Sequence, residues 1–214
     1  MKKSKILVAL TGLLFSFGIN FNSSAQAVEQ GNIIVDAYYG FPNLYTTVFK
    51  AAYANTGSEL DLKVNGAGPL GLRGEYMVTE KIGLGLDLGF NNSKVSYNEI
   101  SQVYNSTTGN YDNLTYSYDF KTKKIGVLVC FNYHFLDNDK FDLFSTVGVG
   151  YANRSFSFTS TDPDYVSTDV KSLIPVGSKV GLGMRYFFTQ NIGANLQLGF
   201  GQGGILNAGI SAKF

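Results

Sequence analysis

Charged side chains recur within segments of this chain that are otherwise apolar, and within each segment they fall on one face. The set comprises Asp36, Arg73, Glu75, Asp87, Lys124, Asp142, Lys179, Arg185 and Lys213, with the polar residues Asn132, Asn195 and Gln197 beside them. A buried charge without a partner is costly, so opposite charges that share an interior are expected to form hydrogen-bonded ion pairs, or else to meet water. We therefore interpret the set as a structural charge network. The alternative is a conduction path, because glycines on the same face, such as Gly83 and Gly85, leave space for water or a small solute.

Residues suited to catalysis or metal binding are scarce. Hydrolases and acyltransferases need a nucleophile or an activated water beside a general base. The one histidine, His134, lies close to a predicted turn, and we interpret it as a hydrogen-bonded structural residue. No Cys/His cluster has metal-ligand spacing, and the glycines around Leu84 alternate within a strand instead of opening a helix. We therefore expect a protein that is not an enzyme and has no metal and no cofactor.

The segments that carry these charges alternate with period two, which is typical of β-strands with two different faces. The clearest one places Ile82, Leu84, Leu86, Leu88 and Phe90 against Gly83, Gly85, Asp87, Gly89 and Asn91. Eight segments show the pattern: 33–41, 70–78, 82–91, 124–135, 141–151, 179–188, 192–200 and 206–214. One face holds every charge in these segments, and the other face holds none. The pattern therefore predicts strand register, because a slip of one residue would exchange the two faces.

The charge-free face carries too many large side chains for the interior of an eight-stranded barrel, which is only just filled by side chains. A soluble lipocalin-like barrel would place its apolar residues inside. An Arg or Lys facing lipid costs about 2–4 kcal/mol near the bilayer midplane, which explains a charge-free outer face. The sequence therefore predicts an all-β protein, an eight-stranded antiparallel up-and-down transmembrane β-barrel. Aromatic residues at the strand ends, among them Tyr76, Phe135, Phe141, Phe188 and Phe214 at one end and Tyr39, Phe90 and Tyr151 at the other, predict two girdles.

The connections between these strands are predicted to be short at one end of the barrel and long at the other. Segments 79–81, 137–140 and 189–191 are tight turns, whereas 42–69, 92–123 and 152–175 are long and extend the strands in part. Leu44, Val48, Phe49, Ala52 and Tyr53 predict a short amphipathic helix on the barrel rim or at the lipid interface. The segment 95–118 is rich in Tyr, Asn, Ser and Thr, and we expect a solvated exposed loop there. Its composition also suits adaptable contacts with an unknown extracellular ligand.

The N-terminus has the features of a secretory signal. Lys2, Lys3 and Lys5 precede an apolar stretch, and the small residues Ala25 and Ala27 follow it, so we expect a cleaved signal peptide at 1–27 and a barrel domain at 28–214. The alternative, a transmembrane helix, is disfavoured because the apolar stretch is shorter than the ~20 residues that span a bilayer. The formal net charge is +1 and no basic run follows the signal, so nucleic acid is not an expected partner.

With these segments in view, the chain resembles the small outer-membrane β-barrel family, which includes the transmembrane domain of outer membrane protein A and outer membrane protein X. The segments that carry the resemblance are 71–76, 82–90, 183–188 and the terminal strand 206–214. The resemblance implies residence in the outer-membrane lipid of a Gram-negative bacterium. The terminal residues Ile210, Ala212 and Phe214 are similar to the signal that the barrel assembly machinery recognises. This implies that machinery and periplasmic chaperones as partners during biogenesis.

The family has no shared active site, so no catalytic residue carries over. The expected function is a structural or surface-interaction role through the extracellular loops. The alternative is a narrow channel or a transporter for small solutes.

Overall fold

The computed structural model describes residues 27–52, 61–135 and 138–214. The predicted signal peptide therefore lies outside the described residues except for Ala27. In chain order the elements are β1 (Ile33–Phe41), α1 (Leu44–Ala52), β2 (Lys63–Met77), β3 (Ile82–Asn105), β4 (Asn110–His134), β5 (Phe141–Ser160), β6 (Thr168–Lys171), β7 (Val176–Phe187), β8 (Ile192–Gly201) and β9 (Leu206–Lys213).

Eight of these strands form a closed antiparallel ring. Around the ring the order is β4, β3, β2, β1, β9, β8, β7 and β5, and the pairing of β5 with β4 closes it. The first and last strands meet in register, with Ile34 opposite Lys213 and Phe41 opposite Leu206. The short β6 pairs only with the far part of β5. A closed ring has no open sheet edge, and the predicted up-and-down β-barrel is confirmed.

The two faces of the wall are divided as the alternation predicts. In β1 the burial alternates along the strand, so that Ile34, Asp36 and Tyr38 point into the lumen and Ile33 and Tyr39 point outward. On β3 the outward residues Leu84, Leu86 and Leu88 are 48%, 52% and 45% exposed. The buried interior is therefore largely polar and the exposed belt is apolar, which is the reverse of a water-soluble barrel.

The connections differ at the two ends of the barrel. At one end, which we call the turn end, β2 and β3, β4 and β5, and β7 and β8 are joined by short turns, as expected. At the opposite end, the hairpin end, β3 and β4 continue together as a ribbon as far as the pair Asn105 and Asn110. Most of segment 95–118 is exposed, as expected, but its paired backbone and the stacked rings of Tyr97 and Tyr118 make it a regular ribbon and not an irregular loop.

Strand β2 changes its pairing with β3 where the belt gives way to the hairpin end. The register shifts between Ala67 and Leu70. Pro69 has no N–H to donate to a ladder, and Gly68 has a φ of 88°, a conformation that favours glycine. The residues beyond this bulge pair with the part of β3 that leads into the ribbon.

Helix α1 confirms the predicted short helix, although it does not lie on the lipid-facing surface. Asn43 caps its first turn, since its side-chain Oδ1 accepts a hydrogen bond from Thr46 N–H at 3.4 Å. Phe49 packs on Phe120 with ring centroids 5.1 Å apart, while Val48 is 63% exposed. The predicted member Tyr53 lies outside the described residues. Among the residues that the structure describes, no helix is long and apolar enough to cross a membrane.

Candidate functional site

Arg185 on β7 is the centre of the charged lumen. One of its terminal nitrogens, Nη2, donates to Asp36 Oδ2 at 2.8 Å and to Glu75 Oε2 at 2.7 Å. The other, Nη1, donates to Asp142 Oδ2 at 2.8 Å. The planar guanidinium fork thus joins carboxylates from β1, β2 and β5, and Arg185 is completely buried.

Arg73 extends the same network across the lumen. Its Nε donates to Asp36 Oδ2 at 2.7 Å, and its Nη1 donates to the side-chain oxygen of Gln197 at 2.8 Å. The aromatic rings of Tyr38 and Phe144 lie 5.7 and 5.4 Å from its guanidinium carbon. Arg73 is therefore held by one carboxylate, one amide and two ring faces.

His134 joins the network through both ring nitrogens. Nδ1 lies 2.7 Å from Asp142 Oδ1, and Nε2 lies 2.9 Å from Glu75 Oε1. Only a ring that carries a proton on each nitrogen donates to both carboxylates. His134 is therefore a hydrogen-bonded residue of the lumen, as expected.

A second layer of charges lies toward the hairpin end. Lys179 Nζ donates to Asp87 Oδ2 at 2.5 Å, and the Tyr38 hydroxyl donates to Asp87 Oδ1 at 2.7 Å. The Gln202 amide donates to the Asp87 backbone carbonyl at 2.7 Å. Asp87 thus accepts hydrogen bonds from β1, from β7 and from the turn between β8 and β9.

Two of the nine predicted network residues lie outside these layers. Lys124 donates to the Gly201 carbonyl at 3.3 Å, and Lys213 donates to the Ala27 carbonyl at 2.7 Å. Neither makes an ion pair among the described residues. Both are half-buried on the inward face, so of the two outcomes expected for the set these lysines do not show ion pairing, because a shared face says nothing of height in the barrel.

The inward glycines accommodate side chains of the lumen. A Cβ at Gly83 would overlap Glu75, one at Gly183 would overlap the ring of Phe144, and one at Gly71 would overlap Tyr38. The space beside these glycines, which could have held water or a solute, is therefore occupied by side chains of the lumen.

The turn end of the lumen is closed by an apolar cluster. Ala27 and Val28 pack with Ile34, Met77 and Phe187, and each of these residues is almost completely buried. The backbone N–H of Ala27 bonds to the carbonyl of Asn138. The start of the described chain therefore fills this mouth of the barrel.

The terminal strand is tied to the first strand as far as its last residue. Phe214 and Ile33 exchange backbone hydrogen bonds of 2.8 and 2.9 Å. Ile210 and Phe214 are 68% and 72% exposed on the outer face, and Ala212 is half-buried. The role of these three residues as an assembly signal stays a prediction.

Four residues that contact the lumen or its mouth were not singled out from the sequence. They are Tyr38, Phe144, Arg154 and Gln202. Tyr38 and Phe144 stood on predicted inward faces, and Arg154 continues the inward face of β5 beyond Tyr151. Gln202 lies in the turn between β8 and β9, where alternation carries no information.

Polar contacts also order the ribbon at the hairpin end. Ser96 donates to Asp119 at 2.6 Å, and Lys94 Nζ lies 3.0 Å from the same carboxylate. The hydrogen bond from Ser96, followed by the interaction with Lys94, lowers the pKa of Asp119. Phe120 packs with Phe158 and Phe156 at centroid distances of 4.6 and 6.1 Å.

Within the described ranges no cluster of His, Cys, Asp and Glu is arranged to hold a metal ion.

The closed ring, the apolar belt and the ion-paired lumen define the class of protein, a small eight-stranded β-barrel of the outer-membrane type. No family model and no curated protein sequence matches the chain.

Solved structures similar to the chain belong to this class. The N-terminal β-barrel domain of Pseudomonas aeruginosa OprF is 13% identical, with 87% of this chain and 100% of that chain covered and a TM-score of 0.45. The outer membrane protein OprG of the same organism is 14% identical, with 89% and 99% covered and a TM-score of 0.44. The attachment invasion locus protein Ail of Yersinia pestis is 13% identical, with 86% and 99% covered and a TM-score of 0.39.

Proposed function

We propose that the protein is a closed barrel of the outer membrane of a Gram-negative bacterium, with a structural or surface-interaction role. The same proposal includes export by a cleaved signal peptide. It also includes assembly with the aid of periplasmic chaperones and the barrel assembly machinery. Short turns face the periplasm and longer connections face outward in such barrels. The hairpin end is accordingly the extracellular end.

The buried ion network is the observation that carries the closed state. Arg185, Asp142 and Asp87 are 0% exposed, and Arg73 is 1% exposed. These side chains reach across the lumen from opposite walls, and the apolar cluster around Val28 fills the periplasmic mouth. A solute entering the lumen would have to separate desolvated charges from their ion-pair partners, which is costly.

The extracellular extensions supply the surface for interaction. Tyr104 and Tyr111 at the tip of the β3–β4 ribbon are 57% and 67% exposed, and Ile100 is 68% exposed. Tyrosine combines an apolar ring with a hydroxyl and has few rotatable bonds, so it suits contact surfaces. The extracellular ligand would meet this ribbon first.

A narrow channel is the second candidate function. Several buried polar atoms have no partner within the described residues, among them Thr122 Oγ1, Asn132 Oδ1, Thr146 Oγ1 and Gln197 Nε2. Buried polar atoms of this kind commonly bind ordered water. A file of such waters would favour slow passage of water or of a small ion.

Conductance in planar bilayers separates the two candidates. We expect the refolded wild-type protein to show no steady openings. Steady openings that disappear in Arg73→Gln or Arg185→Gln, but persist in Lys171→Gln at an exposed position of β6, would contradict the closed barrel and favour the channel.

Placement in the membrane has its own test. We expect heat-modifiable migration on a denaturing gel, and we expect protease treatment of intact cells to cut only the extracellular segments. A purified protein that stays monodisperse without detergent would contradict the proposal.

We also propose that His134 has no catalytic role, since carboxylates are hydrogen-bonded to both of its ring nitrogens.

A further inference from the structure

A small cavity lies at the extracellular mouth of the lumen, above the layer of Lys179 and Asp87. It has a volume of about 130 Å³ and is lined in part by the start of α1, by Gln202 and by the basic residues Lys124 and Arg154. A volume of about 10–15 Å³ on this measure admits one water molecule. The cavity therefore has room for several waters or for a small polyatomic ion.

Lys124 and Arg154 face this cavity side by side. They are register partners on β4 and β5, so both side chains project from the same face of the wall. Like charges placed directly opposite each other destabilise a sheet. Within the described part of the chain neither residue makes an ion pair, and Arg154 Nε is buried without a hydrogen-bond partner. This arrangement leaves an uncompensated positive charge and a free donor at the cavity.

The groups packed around the two cations do not neutralise them. Asp87 acts electrostatically on Lys124, but it is already bound to Lys179 at 2.5 Å and to Tyr38 at 2.7 Å. The ring of Tyr45 lies 5.4 Å from the guanidinium carbon of Arg154 and carries no charge. The carboxylates of the network are thus paired within the network, and the positive charges of Lys124 and Arg154 at the mouth are not neutralised.

The first turn of α1 adds to the positive potential. Leu44 and Tyr45 line the cavity, and the first N–H groups of a helix have no acceptor within the helix. The aligned peptide dipoles place a partial positive charge at this end, which favours a bound anion. Two side-chain cations and the start of a helix therefore line one small cavity.

We propose that this cavity is a binding site for a small oxyanion, a phosphate or sulfate group carried by a free solute. Such an anion would accept hydrogen bonds from Arg154 and Lys124 together and would offset the repulsion between them. The barrel wall separates the cavity from the lipid, so the anion would enter from the extracellular side. The proposal does not depend on whether the barrel conducts. A binding measurement can contradict the anion site without contradicting the closed barrel, and a conductance measurement can contradict the closed barrel without contradicting the anion site.

Calorimetric titration of the full chain with inorganic phosphate tests the site. The protein is refolded in maltoside micelles that contain no phosphate or sulfate. We expect saturable binding at one site, weakened about tenfold or more in Lys124→Gln and in Arg154→Gln, because each removes a charged donor. The control is Lys123→Gln, because Lys123 projects from the opposite face of β4 against the Phe90 ring. We expect it to bind phosphate as the wild type does.

A second measurement avoids any effect of substitutions on folding. Phosphate should protect Lys124 of the wild-type protein from an amine-reactive reagent, as read by mass spectrometry, and should leave the labelling of Lys123 unchanged. No saturable heat, equal affinity in Lys124→Gln and Arg154→Gln, or equal labelling of Lys124 with and without phosphate would overturn the proposal.

Micelles doped with phosphatidic acid distinguish the two sources of a phosphate group. Undiminished binding of inorganic phosphate supports a free solute as the ligand. Competition by the lipid would overturn that assignment and indicate a lipid headgroup.

Discussion

Asp36 and Arg185 are 149 positions apart in the sequence, and their side chains meet inside the barrel at 2.8 Å. Asp36 stands on β1 and Arg185 on β7, which are not neighbours in the ring. The contact therefore crosses the lumen instead of following the wall. Because Arg73 binds the same carboxylate at 2.7 Å, Asp36 links two guanidinium groups in one network.

Removing Arg185 should destabilise the barrel strongly. Arg185→Met leaves Asp36, Glu75 and Asp142 with fewer partners in a buried site, and breaking a buried ion pair in this way costs about 3–5 kcal/mol. The measurement is the free energy of unfolding in urea, followed by circular dichroism in lipid vesicles. Lys171→Met, at an exposed position, is the control and should change it by no more than about 0.5 kcal/mol. Equal stability of the two variants would contradict a structural role of the network.

A charge on the outer belt should be costly only where lipid meets the wall. Leu86→Arg places a cation on the 52% exposed outer face of β3, and we expect a loss of about 2–4 kcal/mol near the bilayer midplane. Leu114→Arg makes the same change on the exposed ribbon beyond the belt and should be close to neutral. Unfolding free energies in vesicles compare the two. A neutral effect of Leu86→Arg would mean that water, not lipid, contacts this face.

The inward glycines should not tolerate a methyl group. In Gly183→Ala the added Cβ meets the ring of Phe144, which packs against the guanidinium of Arg185 at 4.2 Å from its centroid. Overpacking of this kind costs about 1–3 kcal/mol. Gly74→Ala is the matched control on the outer face, where no atom lies within 4 Å of the added Cβ. A stable Gly183→Ala variant would show that the lumen has spare room there.

Helix α1 should depend on Phe49 for its position. Phe49→Ala removes the ring that packs on Phe120 at 5.1 Å, whereas Val48→Ala changes a side chain that is 63% exposed. We expect faster hydrogen exchange of the α1 amides in Phe49→Ala and little change in Val48→Ala, because an aromatic contact contributes to docking of the helix and an exposed side chain does not. Equal exchange in both variants would mean that other contacts hold the helix.

The alternation of residue types was sufficient to predict the eight strands of the ring, their inner and outer faces, and the tight turns at one end, although not the short β6. The reason is that lipid on one side and a charged lumen on the other penalise each misplaced residue. The local sequence is therefore enough to determine that Asp87 faces the lumen and that Leu86 faces outward. The long ribbon was less predictable, because Tyr, Ser, Thr and Asn occur both in exposed strands and in loops. The cross-strand pairing, which continues without a break from Tyr97 and Tyr118 to Asn105 and Asn110, distinguishes the two.

Which charges meet was decided by the tertiary structure. Lys124, Lys179 and Lys213 look alike in sequence because each lies on an inward face, yet only Lys179 pairs with a carboxylate, Asp87. Height in the barrel and closure of the ring set the distances between side chains from strands far apart in the sequence. Coulombic and hydrogen-bonding energies depend on those distances, so strand alternation determined which residues are inside, and the closed ring determined their partners.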